Sequence, residues 1–181
     1  FDALCTAFGT AGTGGFGIKN DSFASFSPYI QWVVTVFMIL FGVNFNFYYF
    51  VLIRNIRKAL SMEEVRTYFL IILTSVAILF VSLMNTMSNV WDALRHAAFQ
   101  VASIITTTGY ASADFDQWSQ TCKTVLVILM FVGACAGSTG GGMKVSRLVI
   151  MFKTVVKELS SYFHPKNIKK INMDGKPVEH E

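Results

Sequence analysis

The 181-residue chain is too apolar for an ordinary soluble domain. Hydrophobic residues make up 53% of it, charged residues only 14%, and the mean hydropathy is +0.50, whereas soluble domains carry about a quarter charged residues. The formal net charge of +4 is small, and the basic residues lie beside long apolar runs. That arrangement is typical of membrane topology and disfavours nucleic-acid binding.

The first element along the chain is a short uncharged stretch at residues 3–18, which is rich in glycine and threonine. Apolar runs too short to cross a bilayer are typical of re-entrant segments. The next run, residues 29–53, carries no charge and exceeds the ~20 residues that a membrane crossing requires. We therefore predict a pore loop at 1–27 and a transmembrane helix at 28–53.

Basic residues separate this run from a second one. Arg54, Arg57 and Lys58 follow the first run, and residues 67–91 are again uncharged. Because short cytoplasmic loops are enriched in Lys and Arg, the loop that begins here should face the cytoplasm. We predict a second transmembrane helix at 66–90. From the uncharged stretch at 97–113 we predict a second pore helix and filter turn at 91–113.

The third apolar run is interrupted by glycine. Residues 124–132 have a helical pattern, GACAGSTGGG follows at 133–142, and a basic helical pattern resumes after it. Each glycine disfavours a helix by about 1 kcal/mol relative to alanine, and open backbone inside a membrane must be covered by protein or line a water-filled cavity. We predict a broken transmembrane helix at 119–160 beside a pore; a helix that ends at a surface turn is the alternative. Residues 164–181 are predicted to form a cytoplasmic connector.

The two uncharged dips resemble each other. Phe1-Asp2 and Trp91-Asp92 both precede Ala-Leu, and each dip ends in a Thr/Gly turn with an aromatic residue. Such repetition indicates that equivalent pieces face a common axis. Backbone carbonyls can replace the hydration shell of potassium, and glycine reaches the φ values that such a turn needs. The predicted filter comprises Thr13, Gly14, Gly15, Phe16, Thr107, Thr108, Gly109 and Tyr110, with potassium bound at Gly15 and Gly109.

Two features of the second dip would favour a cation. The carbonyl end of its helix carries a partial negative charge of about one-half, which would point into the pore. Asp114 and Asp116 follow the turn and would lie at the outer mouth, where acidic side chains raise the local cation concentration. Potassium is therefore expected as the transported substrate, with no bound cofactor.

Four motifs make the chain similar to the Trk/Ktr/HKT superfamily of potassium transporters, and specifically to its bacterial Trk pore subunits. They are DAL…GTGGF at 2–16, FMILFGVNF at 37–45, FQVAS…TTGY at 99–110 and GACAGSTGGGMK at 133–144. The last motif is the most specific. The resemblance implies an all-α membrane protein of repeated helix–pore-loop–helix units, with re-entrant pore helices and a broken transmembrane helix.

The resemblance also implies how these units are arranged. Family members carry four units around one pore, so residues 1–58 would end the second unit and 59–163 would form the third. The missing units of the same protein would complete the ring. Further implied features are a homodimer in the cytoplasmic (inner) membrane with several spans, contacts with lipid, and a cytosolic nucleotide-binding regulatory subunit. The glycine-rich break would be a gate loop beneath the filter, formed by Ala134, Cys135, Ala136, Gly137, Ser138, Thr139, Gly140, Gly141 and Gly142.

Two other classes of function fit parts of the sequence. A secondary transporter could bind an anionic solute with the amides of the glycine-rich break and with Lys144, but the repeated Thr/Gly turns have no role in such a protein. An enzyme is disfavoured because the histidines are scattered and no nucleophile–base pair is evident. The three cysteines have neither metal-ligand spacing nor an even number for disulfides.

Overall fold

The computed structural model describes residues 1–84, 86–87, 89–163, 172–173 and 176–177, and helices dominate this part of the chain. It also contains a 3₁₀ helix at Phe115–Gln117 and a two-residue antiparallel ladder that joins Asn172–Met173 to Lys176–Pro177. The α-helices in chain order are α1 (Asp2–Ala11), α2 (Pro28–Phe41), α3 (Phe45–Leu52), α4 (Ile56–Leu60), α5 (Glu63–Met84), α6 (Val90–Ile105), α7 (Gln120–Phe131) and α8 (Val145–Phe163).

Local sequence signals explain where two of the long helices begin. Ser27 Oγ accepts a hydrogen bond from Ile30 N at 3.5 Å, and Pro28 occupies the first turn of α2, a combination typical of helix N-termini. The helix predicted at 66–90 begins earlier, at Glu63, because acidic residues in the first turn suit the positive end of the helix dipole. It also ends earlier, at Met84.

The second pore helix, α6, lies at the centre of the helix packing. It contacts α2, α5 and α7, and nine of its 16 residues are buried, several of them alanines. Small side chains of this kind let neighbouring helix backbones approach closely. The first pore helix, α1, has a single buried residue, Thr10. The turn that follows α6 therefore starts from a helix enclosed on several sides.

Helix α5, with 22 residues, is the one helix in the described part of the chain that is long and apolar enough to cross a membrane by itself. Helices α2 and α3 meet the same criterion only as a pair, and they bend by 90° at the break between them. Helices α7 and α8 are separated by the non-helical segment 132–144, so the helix that begins at α7 is interrupted at the glycine-rich sequence.

The bend between α2 and α3 corrects the prediction of a continuous helix at 28–53. Gly42 ends α2, and Asn44 begins α3 by accepting a hydrogen bond from Asn46 N at 2.9 Å. A side chain at position 42 would collide with its surroundings, because an added Cβ would lie 2.3 Å from Tyr68 Oη and 2.8 Å from Thr106 Cγ2. Glycine at the bend therefore allows α5 and α6 to approach it closely.

The two interruptions supply hydrogen-bond partners to each other. Cys135 N, in the segment 132–144, donates to Gly42 O at 3.0 Å. In the opposite direction, Phe45 N donates to Gly137 O at 3.1 Å. Backbone groups inside a membrane are tolerated outside regular helices only where protein or water satisfies them. The bend and the glycine-rich segment thus stabilise each other.

The predicted cytoplasmic connector, 164–181, falls largely outside the described residues. Its described part is the short ladder between Asn172–Met173 and Lys176–Pro177. The side of the membrane on which the connector lies stays a prediction.

Candidate functional site

The first pore helix ends in a specific hydrogen-bonded turn. Gly14 N donates to Gly9 O at 2.9 Å, and Thr13 N donates to Thr10 O at 3.3 Å. These two bonds, with Thr13 at a positive φ, define the Schellman arrangement of a helix C-terminus. They turn the chain sharply away from the axis of α1.

The second pore helix ends in the same way. Thr108 N donates to Ser103 O at 2.9 Å, and Thr107 N donates to Ile104 O at 3.0 Å. The donors and acceptors are spaced as they are after α1. Residues 13–16 and 107–110 are therefore equivalent turns, which matches the repeat seen in the sequence.

Two residues in each turn have positive φ angles. In the first turn they are Thr13 at 49° and Gly15 at 68°, and in the second they are Thr107 at 57° and Gly109 at 85°. The prediction that Gly109 takes a φ value disfavoured for other residues is confirmed, and Gly15 does the same. Left-handed backbone costs a residue with a Cβ about 1–2 kcal/mol, and strain of this kind is concentrated at functional sites. The strain at Thr13 and Thr107 therefore calls for a contact that compensates for it.

The two turns lie against each other. An added Cβ on Gly15 would lie 1.9 Å from Thr108 O and 3.6 Å from the carbonyl carbon of Gly109. A Cβ added to Gly109, by contrast, would have no described atom within 4 Å other than those of its chain neighbours. The first turn is thus packed tightly onto the second, and the second turn has an open side at Gly109.

Backbone carbonyl oxygens in these turns are left without hydrogen-bond donors from the described part of the chain. The helices α1 and α6 both end at the turns, so the partial negative charge of each C-terminal end lies beside these oxygens. Unpaired carbonyl oxygens are the ligands with which potassium-channel filters replace the ion's water. They belong to Thr13, Gly14 and Gly15 in the first turn, and to Thr107, Thr108 and Gly109 in the second.

Tyr110 is held between the two units. Its side chain is 1% exposed, and its Oη donates to Phe16 O at 3.3 Å. Its ring packs edge-on against Phe23 with centroids 4.6 Å apart, and Ser103 Oγ donates to its carbonyl oxygen at 2.6 Å. An added Cβ on Gly9 would lie 2.3 Å from Tyr110 Oη, so glycine in α1 allows this approach. The equivalent Phe16 side chain is 82% exposed.

The glycine-rich segment contacts both turns through the two strained threonines. The Thr13 hydroxyl shares its one hydrogen between two carbonyl oxygens, Thr139 O at 2.9 Å and Gly12 O at 2.8 Å. Thr107 Oγ1 accepts a hydrogen bond from Gly141 N at 2.6 Å. Glycine would suit the left-handed position better than threonine, but glycine has no hydroxyl. The contact with the segment explains why threonine occupies a strained position.

The predicted gate loop, 134–142, has an enclosed part and an exposed part. Ala134 and Cys135 are fully buried, and Val145 N donates to Ala134 O at 3.2 Å. Farther along, Gly137 and most residues up to position 142 are exposed, Ser138 and Gly140 being the exceptions. The buried beginning of the loop is fixed to the helices, and its later part is the one that touches the turns.

Several of the donors that an anion site would require already have partners in the protein. Lys144 Nζ donates to Gly140 O, and Gly141 N donates to Thr107 Oγ1. Ser138 N and Ser138 Oγ both donate to Cys135 O, at 3.3 Å and 2.6 Å. Lys144 and the amides of Ser138 and Gly141 therefore already face carbonyl and hydroxyl oxygens of the protein.

The two predicted outer-mouth residues are exposed. Asp114 begins the 3₁₀ helix, because its Oδ1 accepts from Asp116 N and its Oδ2 from Gln117 Nε2, both at 3.0 Å. Local capping therefore accounts for the carboxylate of Asp114. A role for either aspartate in attracting cations stays a prediction.

Glu64 is a buried residue of the site that the sequence interpretation missed. It lies in the first turn of α5, is 3% exposed, and accepts hydrogen bonds from the backbone of the segment 132–144 and of α8. Its only signal in the sequence is the Glu63-Glu64 pair before an uncharged run. By itself such a pair indicates no more than a favourable charge at a helix N-terminus.

Known proteins resemble this chain in both sequence and structure. The Trk system potassium uptake protein TrkH of Halomonas elongata is 36% identical over 173 residues, which cover 91% of this chain and 35% of that protein. TrkG of Escherichia coli is 32% identical over 187 residues, covering 98% of this chain and 37% of that protein. The crystal structure of the potassium transporter TrkH from Vibrio parahaemolyticus matches with a TM-score of 0.90 at 30% identity.

That match covers 98% of this chain and 39% of the Vibrio protein, so the chain spans well under half the length of these relatives. A family model described as "TrkH: Cation transport protein" matches residues 1–181. The chain belongs to the TrkH family of cation transport proteins.

Proposed function

We propose that this chain supplies two of the units that line a potassium uptake pore in the cytoplasmic membrane. The proposal rests on the two turns, which lie against each other and whose carbonyl oxygens accept no hydrogen bond from the described part of the chain. Gly15 and Gly109 would bind the ion through these turns, and the two helix C-termini would favour its positive charge. The relatives' names as potassium uptake proteins support the choice of ion.

The exposed part of the glycine-rich loop would act as the gate. It touches both turns, through Thr13 and Thr107, so a shift of the loop would change access to the oxygens next to it. Its buried beginning at Ala134 and Cys135 would stay with the helices. The moving part would then be residues 137–142, which is shorter than the whole segment 134–142.

We propose the remaining partners from the resemblance to the family and from the open side of the second turn. The side of the second turn at Gly109 has space for further units of the same protein, and the chain spans less than two-fifths of its relatives. A homodimer, lipid around the apolar helices, and a cytosolic nucleotide-binding regulatory subunit complete the proposed assembly. Transport would involve no catalytic chemistry.

Rubidium flux through a full-length protein that contains this chain tests the proposed function. In liposomes, the protein is expected to carry radioactive rubidium inward, and external potassium should compete better than sodium because the turns offer oxygen ligands to a dehydrated ion. Empty liposomes provide the background. Uptake that requires phosphate, or no rubidium flux from protein that is correctly folded and inserted, would overturn the proposal.

A further inference from the structure

Three separate parts of the chain meet at one carboxylate. Glu64 Oε1 accepts hydrogen bonds from Ala136 N at 2.6 Å and from Ser146 N at 3.1 Å. Its Oε2 accepts from Asn44 Nδ2 at 3.1 Å. Asn44 belongs to the bend between α2 and α3, Ala136 to the glycine-rich loop, and Ser146 to the first turn of α8. The beginning of the loop and the helix that follows it are thus tied to the same side chain.

The partners of Glu64 require an acceptor at each of its oxygens. Two backbone amides face Oε1, and neither can become an acceptor. Asn44 cannot turn its amide around either, because Asn44 Oδ1 already accepts from Asn46 N at 2.9 Å and so begins α3. A glutamine at position 64 would place its NH2 group against another N–H donor, either that of Asn44 or those of the two backbone amides. Only a carboxylate satisfies all three contacts at once.

The surroundings of this carboxylate supply what a buried charge needs. Burying a carboxylate is costly unless its oxygens are hydrogen-bonded, and Glu64 is 3% exposed. The N-terminal end of α8 offers partial positive charge through Ser146 N. Glu63, the neighbouring residue, pairs instead with Lys153 of α8. The two adjacent acids therefore have different partners: Glu63 pairs with the Lys153 side chain, whereas Glu64 accepts from two backbone amides and from the Asn44 side chain.

We propose that Glu64 is the positioning residue that fixes the resting place of the gate loop against the turns, a role that rests on the proposed function of that loop. The carboxylate holds Ala136 and Ser146, which lie on either side of the part of the loop, residues 137–142, that contacts the turns. Weakening this hold releases the loop from Thr13 and Thr107 and opens the path beneath the turns. Ion selectivity stays with the turns themselves, because the hydrogen bonds of Glu64 in the described part of the chain go to Asn44, Ala136 and Ser146.

The test exchanges donor and acceptor between Glu64 and Asn44 in the full-length protein. Glu64→Gln is expected to raise basal rubidium flux per folded molecule about tenfold, because a neutral amide oxygen holds Ala136 N and Ser146 N less strongly than a carboxylate does and the new NH2 group faces the NH2 group of Asn44. Asn44→Asp sets two carboxylates against each other and should also raise flux. When the two substitutions are combined, the introduced glutamine donates to the introduced aspartate while its amide oxygen keeps both backbone amides, so flux should return close to wild type. Glu63→Gln, which removes the same charge one residue away, is the matched control and should leave basal flux unchanged.

The outcomes separate this proposal from the proposed function. Absent rubidium flux in the wild-type protein contradicts the pore itself. Normal wild-type flux with Glu64→Gln behaving like Glu63→Gln contradicts only the role of Glu64. If Glu64→Gln fails to accumulate in the membrane, the double variant decides: recovery of both protein and low basal flux supports the pairing, and an equally unstable double variant overturns it. The ratio of potassium to sodium permeability should be unchanged in every variant that conducts, and a shifted ratio would overturn the assignment to the gate.

Discussion

Replacing Gly15 with alanine in the full-length protein is expected to lower rubidium flux at least about tenfold, because left-handed backbone alone costs a residue with a Cβ about 1–2 kcal/mol. Gly15 has a φ of 68°, and the new Cβ would lie 1.9 Å from Thr108 O. The clash is with backbone, which cannot move aside as a flexible side chain could. The two turns would therefore be forced apart at the proposed ion site.

Two other glycines in or near the turns serve as controls, because alanine there should cause a smaller loss of flux or none. At Gly109 a new Cβ meets open space, but φ is 85°, so only the strain applies and a smaller loss is expected. At Gly17 the nearest atom would be Lys19 O at 3.8 Å, an ordinary contact, so alanine should be tolerated. Flux should therefore be highest in Gly17→Ala, lower in Gly109→Ala and lowest in Gly15→Ala. Equal effects at positions 15 and 17 would contradict the close approach of the turns as the cause.

Removal of the two threonine hydroxyls that touch the loop should have the opposite effect on flux. Thr107→Gly deletes the acceptor of Gly141 N while it relieves the strain of a φ of 57°. Each lost hydrogen bond is worth about 1 kcal/mol, so basal flux should rise about fivefold in the single variant and further when Thr13→Gly is added. Protein levels should not fall, since glycine suits both backbone positions.

Serine at the same positions is the matched control. Thr13→Ser and Thr107→Ser keep the hydroxyls and remove only methyl groups, so basal flux should stay near wild type. Flux measured in liposomes at equal protein content distinguishes the two sets. If serine raised flux as much as glycine, the methyl contacts rather than the hydroxyls would hold the loop, and the proposed coupling between turns and loop would be wrong.

The features that the sequence predicted are those set by glycine chemistry over short distances. Consecutive glycines at 140–142 lower helix propensity enough to locate the break between α7 and α8 without any tertiary information. The equivalence of the two turns follows from the Thr/Gly repeat, and glycine at positions 15 and 109 permits the positive φ angles found there. Each of these signals lies within a few residues of the structure that it specifies.

The features that the sequence did not reveal depend on contacts between distant segments. A single glycine at 42 in an uncharged run gives no sign of a 90° bend, because the bend is stabilised by the backbone of 135–137. An acidic residue in the first turn of a helix is ordinary, so Glu64 became informative only when its three donors were seen together. The strained threonines were predicted as filter residues, but their contacts with the loop were not.

The central claim is that bare carbonyl oxygens of two equivalent turns bind a dehydrated potassium ion. Anomalous scattering from rubidium in crystals of the full-length protein measures this directly. A rubidium peak is expected within coordinating distance of the oxygens of residues 13–15 and 107–109. Rubidium bound only at the glycine-rich loop or elsewhere, with none at these turns, would contradict the claim.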